Sequence, residues 1–105
     1  MHKTTISISL PLQKIKKFCE RYHIYKFSLF GSVLRDDFTS ESDVDVLVEF
    51  EEGKVPGLAI IRMEDELSQI INRPIDLRTP ADLSRYFREQ VINEALVIYE
   101  AQLMI

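Results

Sequence analysis

The strongest constraint on this chain is the run Ser42-Asp43-Val44-Asp45-Val46-Leu47-Val48-Glu49-Phe50. Side chains alternate across a strand, so Val44, Val46, Val48 and Phe50 share one face and Asp43, Asp45, Leu47 and Glu49 share the other. A wholly apolar face has to be covered by something else in the fold. The run therefore predicts a half-buried strand that holds two carboxylates side by side on its other face. Residues two apart on a strand have Cα atoms roughly 6.5–7 Å apart. Two ionised carboxylates at that spacing repel unless a cation sits beside them. Hard oxygen ligands of this kind suit Mg²⁺, which keeps several waters and takes one or two protein carboxylates plus phosphate oxygens.

The rest of the chain supplies what such a strand needs. Pro11 opens a first helix whose Leu12, Ile15, Phe18, Cys19 and Tyr22 recur at helical spacing. Ile24 to Phe30 reads as a strand, broken by Gly31-Ser32. Pro56 opens a second helix with the stripe Ile60, Met63, Leu67, Ile70 and Ile71, and Ile75-Asp76-Leu77 is a short strand. Thr79-Pro80 is a cap for a final helical region lined by Leu83, Phe87, Val91, Ala95 and Ile98. The order α-β-β-α-β-α predicts an α/β or α+β fold, a small mixed sheet covered by helices, with residues 1–105 as one domain.

Three features gather around the acidic strand. A glycine directly after an apolar strand lets the backbone turn sharply and approach a ligand, and a helical turn after it aims N–H groups at an anion. Gly31 and Ser32 thus suit phosphate, with Arg35 one turn on and able either to neutralise a triphosphate or to pair with Asp36 or Asp37. Asp76 faces away from the core set by Ile75 and Leu77, and joins Asp43 and Asp45 if the two strands are neighbours. A third carboxylate there could accept the proton of an attacking hydroxyl and share a second metal ion.

Net charge is −4 but uneven. Residues 1–35 set seven Lys/Arg against Glu20 alone, whereas residues 36–66 set eleven Asp/Glu against Lys54 and Arg62. The acidic middle is where a cation would be neutralised; the basic first third could meet phosphates or an acidic partner. Direct nucleic-acid binding is not expected. The longest apolar runs fall far short of the ~20 residues of a membrane span, and the start lacks a signal peptide's apolar segment. The expected compartment is the cytoplasm. Cys19 is the single cysteine, so no intrachain disulfide and no thiolate metal cage can form. His2 and His23 are isolated from any second metal-binding partner at zinc-like spacing.

Gly31-Ser32, a spacer, then Ser42-Asp43-Val44-Asp45-Val46-Leu47-Val48 resembles the signature of the DNA polymerase beta nucleotidyltransferase superfamily. With Leu29-Phe30 before the glycine and Arg35 after it, the pattern is similar to the minimal nucleotidyltransferases, many of which act as antitoxins beside HEPN-domain ribonuclease toxins. The resemblance spans nearly the whole chain. It differs at Asp36, where many relatives carry glycine. It implies that Asp43 and Asp45 bind Mg²⁺, with Asp76 as the third carboxylate and two ions in all, and that Gly31 and Ser32 contact the phosphates of ATP. It further implies transfer of AMP to a hydroxyl, a tyrosine, of a HEPN toxin held in a hetero-oligomer. A surplus of apolar groups near the end of the chain (Tyr86, Leu96, Tyr99 and Leu103, then Met104-Ile105) marks either a contact surface or a final helix buried on two sides. The competing reading is an antitoxin that binds without catalysis; a third is a transferase acting on small molecules.

Overall fold

The computed structural model describes residues 8–35 and 38–101. His2, Asp36, Asp37 and the terminal Leu103-Met104-Ile105 lie outside the described residues. Helix α1 runs Leu12–Arg21, strand β1 Ile24–Phe30, then a 3₁₀ turn Gly31–Leu34. Strand β2 is Val44–Phe50, helix α2 Ala59–Ile71 and strand β3 Ile75–Arg78. A second 3₁₀ turn, Pro80–Asp82, leads to helix α3, Arg88–Glu94, and strand β4, Leu96–Glu100.

The four strands form one mixed sheet in the order β3-β2-β1-β4. β1 is antiparallel to both β2 and β4, and β3 is parallel to β2. A parallel neighbour cannot be reached by a tight hairpin, so α2 makes the crossover between β2 and β3. Val44, Val46 and Val48 are fully buried; Val46 and Val48 lie opposite Leu29 and Phe27 of β1, and Val44 opposite Ile75 of β3. Ile15, Phe18 and Cys19 of α1 and Met63, Leu67 and Ile71 of α2 close over them. The alternation of β2 and the two helical stripes therefore serve a single core, and the expected mixed sheet covered by helices is the observed fold. Burial also pushes the Cys19 thiol up to about 12, with the Glu20 charge adding to it, so it stays protonated and inert.

Four local expectations are corrected. The final helical region is not continuous: after the seven residues of α3 the backbone turns extended at Ala95 and becomes β4. The helical spacing of Leu83 to Ile98 is fortuitous. Leu96-Val97-Ile98-Tyr99 is β-branched and aromatic, and pairing it with β1 satisfies an edge that would otherwise stay open. Tyr99 and Ile98 pack against the core, whereas Phe87 and Tyr86 are exposed. Helix α2 begins at Ala59 rather than Pro56, since Pro56–Leu58 forms a turn first. Leu12 lies on the first helix but faces solvent. Leu47, on the carboxylate face of β2, is nonetheless buried, because that face is partly covered by the Pro80–Asp82 turn. Thr79 caps this turn as expected, in a reciprocal box with Asp82.

Candidate active site

At the end of β1 the chain must reverse sharply, and Gly31 does so at φ +75, a region that L side chains rarely adopt. The 3₁₀ turn that follows is closed by the Arg35 N–H donating to the Ser32 carbonyl at 2.9 Å. In the sheet register Phe30, immediately before the glycine, lies opposite Asp45. The consequence is close packing: a Cβ built on Gly31 would collide with Asp45 Oδ2 and sit 3.1 Å from its carboxyl carbon. Glycine is needed here twice over, for its φ and for the carboxylate lying on it.

Asp45 in turn lies opposite Asp76 in the parallel β2–β3 register. Neighbouring strands are ≈ 4.8 Å apart, so the two carboxylates share one patch. Asp43, one residue before β2, is exposed at the same end. The carboxyl of Asp45 is held above its ordinary range, first by burial, then by the charges of Asp76 and Asp43, with Arg35 and Arg78 opposing. The Arg78 guanidinium donates to both oxygens of Asp76, at 2.9 and 3.4 Å. All three sequence-predicted carboxylates, the Gly31-Ser32 turn and Arg35 thus meet at one end of the sheet.

These donors are all hard oxygens, and Asp45 carries electrostatic strain that a cation would relieve; the set fits Mg²⁺. Among the described residues no three acidic, His or Cys side chains are gathered as a ready-made cage. An ion held by these carboxylates would share one or two of them with phosphate oxygens and water.

Three supporting residues were not anticipated from sequence. Arg73 donates to the carbonyls of Thr39 at 2.8 Å and Ser42 at 3.2 Å, and its guanidinium lies 4.6 Å from the Phe38 ring centroid. Together with the Val44 N–H to Pro74 carbonyl bond of 2.9 Å, this fixes the loop that delivers Asp43. Glu64 of α2 accepts from the Leu77 N–H at 2.9 Å, satisfying the outer edge of β3 beside Asp76. Arg78 is the third. Nothing in their sequence context marks Arg73 or Glu64, since their partners lie far along the chain.

Two hollows are prominent. The larger, about 830 Å³, runs along α2 and β3 from Leu58 to Ile75; neither hollow is lined by the three aspartates. The other, about 490 Å³, opens from Gly31 and Arg35 and is closed on its far side by Phe87, Gln90 and Glu94 of the α3 region. Among the described residues no helix is long and apolar enough to cross a membrane.

Residues 12–98 match the family model described as the nucleotidyltransferase domain. The chain is 31% identical over 84 residues to the protein adenylyltransferase MntA of Thermococcus cleftensis, covering 79% of this chain and 83% of that one. It superposes with a TM-score of 0.71 on a chain of a toxin–antitoxin structure with AMP-PNP, at 21% identity over 89% of this chain and 76% of that one. A further match, with a TM-score of 0.62 and 20% identity over 87% and 71% of the two chains, is a structure of a tri-AMPylated Shewanella oneidensis HEPN toxin in complex with its MNT antitoxin. At these identities the two structures establish a shared fold.

Proposed function

The chain belongs to the nucleotidyltransferase domain family, and on that premise we propose that it is a protein adenylyltransferase acting as an antitoxin. It transfers AMP from ATP to a hydroxyl, a tyrosine, of a HEPN-domain toxin in the cytoplasm. One juxtaposition supports this most: the glycine turn packed on the Asp45 carboxylate, with Asp76 opposite it in register. The reading also agrees with the names of the relatives, one a protein adenylyltransferase and another an antitoxin bound to an AMPylated HEPN toxin.

Each residue has a part. The N–H groups of the turn that begins at Gly31, the Ser32 hydroxyl and Arg35 hold the triphosphate. Asp43 and Asp45 would hold Mg²⁺, and Asp76 would share a second ion. When bound, the metal supplies charge neutralisation on the phosphates and polarisation at the reacting oxygen. Asp76, turned from Arg78, accepts the proton of the toxin hydroxyl. That oxygen attacks the α-phosphorus in line, the bond from the α-phosphorus to its β-bridging oxygen breaks, and pyrophosphate leaves. Phosphoryl-type transfer needs mainly positioning and electrostatics, which the end of a rigid sheet provides. In this reading the toxin itself presents the acceptor within a hetero-oligomer.

The test is to incubate the protein and its toxin with Mg²⁺ and ATP labelled at either the α or the γ position. Label from the α position should reach the toxin and label from the γ position should not. Asp45→Asn should abolish transfer and toxin inhibition together. Inhibition that persists in full without ATP, or in Asp45→Asn, would replace this reading with neutralisation by binding alone.

A further inference from the structure

The proposed chemistry uses the triphosphate and the acceptor but leaves the nucleobase without a seat. The 490 Å³ cavity begins at the turn taken above as the triphosphate seat. It lies in the ≈ 300–1,000 Å³ range of small-molecule sites. Its two ends differ chemically. Gly31 and Arg35 stand at one wall, suited to phosphate, and Glu94 at the other, which repels it. A nucleotide seated here would place its phosphates at the glycine turn and its base against α3.

The α3 wall has what a base would need. Phe87 lines the cavity yet is 62% exposed, an aromatic face with no core to fill. Gln90 lines it too, and its amide orientation is fixed by chemistry: a carboxylate only accepts, so the group that meets Glu94 Oε1 at 3.3 Å is the Gln90 NH₂. The carbonyl oxygen of Gln90 is left as the acceptor. An acceptor there favours a base bearing an exocyclic amino group, as adenine does, and opposes the carbonyl that guanine carries at the same position.

We infer that the cavity between the glycine turn and α3 is the nucleobase subsite, in which Phe87 stacks on the base and Gln90 selects ATP over GTP by accepting from the adenine 6-amino group. The inference rests on the triphosphate being seated at Gly31-Ser32.

Calorimetric titration of the intact protein in Mg²⁺ buffer, without toxin, tests it with three probes: ATP, GTP and inorganic tripolyphosphate. Stacking of one base is removed in Phe87→Ala, so ATP binding should weaken by about 5- to 150-fold while tripolyphosphate binding is unchanged. Gln90→Met, which keeps the length but not the acceptor, should lower the ATP/GTP affinity ratio by about 2- to 12-fold. Both side chains are exposed, so neither change should unfold the protein. Phe87→Ala binding ATP as the wild type does, or losing ATP and tripolyphosphate equally, overturns the subsite. An unchanged ATP/GTP ratio in Gln90→Met overturns its selectivity. If instead the wild type binds ATP in a Phe87-dependent way but no tripolyphosphate, the base subsite stands and the triphosphate seat is the part that fails.

Discussion

Gly31→Ala is the perturbation that speaks most directly to how the site is built. Three glycines of this chain hold positive φ: Gly31 at +75, Gly53 at +77 and Gly57 at +63. Around Gly53 and Gly57 a new Cβ would meet nothing within 4 Å, whereas at Gly31 it would meet the Asp45 carboxylate. Gly53→Ala therefore isolates the backbone cost of a left-handed alanine, about 1 kcal/mol. Gly31→Ala adds the cost of forcing a methyl into a packed contact, a further ~1–3 kcal/mol. In a chain this size each kcal/mol lowers Tm by roughly 4–8 °C. Gly53→Ala should thus melt within about 8 °C of the wild type, and Gly31→Ala well below it. If the Asp45 carboxylate swings aside to make room, part of the stability returns but the transfer reaction does not. Thermal unfolding of the two variants and of Gly31→Ala/Asp45→Ala measures the coupling, and the double variant should recover most of the excess. Gly31→Ala matching Gly53→Ala in both stability and AMP transfer would refute the reasoning.

Further outcomes follow from the same geometry. Asp45 titrates above its ordinary range, so the native state holds that proton more tightly than the unfolded chain does. Its contribution to stability is present below the unfolded pKa and is lost as pH rises through the folded one. Asp45→Asn should remove this limb and, without metal, melt higher than the wild type at neutral pH even as it abolishes transfer; a lower Tm at neutral pH counts against the crowding of charges described. Arg78→Ala should bind Mn²⁺ more tightly in a direct titration, since it frees Asp76; a half-exposed pair is worth at most about 1 kcal/mol, so the gain should not exceed about fivefold. Weaker Mn²⁺ binding would mean that Arg78 does not compete for that carboxylate. Arg73→Ala removes the side-chain donor to the Ser42 carbonyl and one of two donors to the Thr39 carbonyl, and should cost about 0.5–1.5 kcal/mol. Hydrogen exchange should show faster opening at the Asp43–Val44 end of β2 than in the rest of the strand.

Much of the architecture is legible in the sequence, because local periodicity and burial agree. The valines of β2 recur at every second residue, α1 and α2 carry stripes at 3.6 spacing, and apart from Leu12 these patterns found the partners they required. The convergence of Asp76 with Asp43 and Asp45 needed one assumption, that β3 lies beside β2; the crossover helix makes it so. β4 was hidden because Leu83, Phe87, Val91, Ala95 and Ile98 mimic a helical face, and only the open edge of β1 decides otherwise. Arg73 was hidden for a different reason. Its partner Thr39 is 34 positions away, and a stacked guanidinium leaves no periodic trace. The cavity beside Gly31 likewise depends on where α3 docks, which no window of sequence contains.

The most direct measurement is a crystal structure of the protein with Mn²⁺ and an ATP analogue that resists cleavage between the α- and β-phosphates. The account predicts anomalous density between Asp43 and Asp45, Asp76 released from Arg78, and the triphosphate lying on the Gly31-Ser32 turn. A nucleotide bound instead in the groove along α2, or metal density away from all three aspartates, would contradict it.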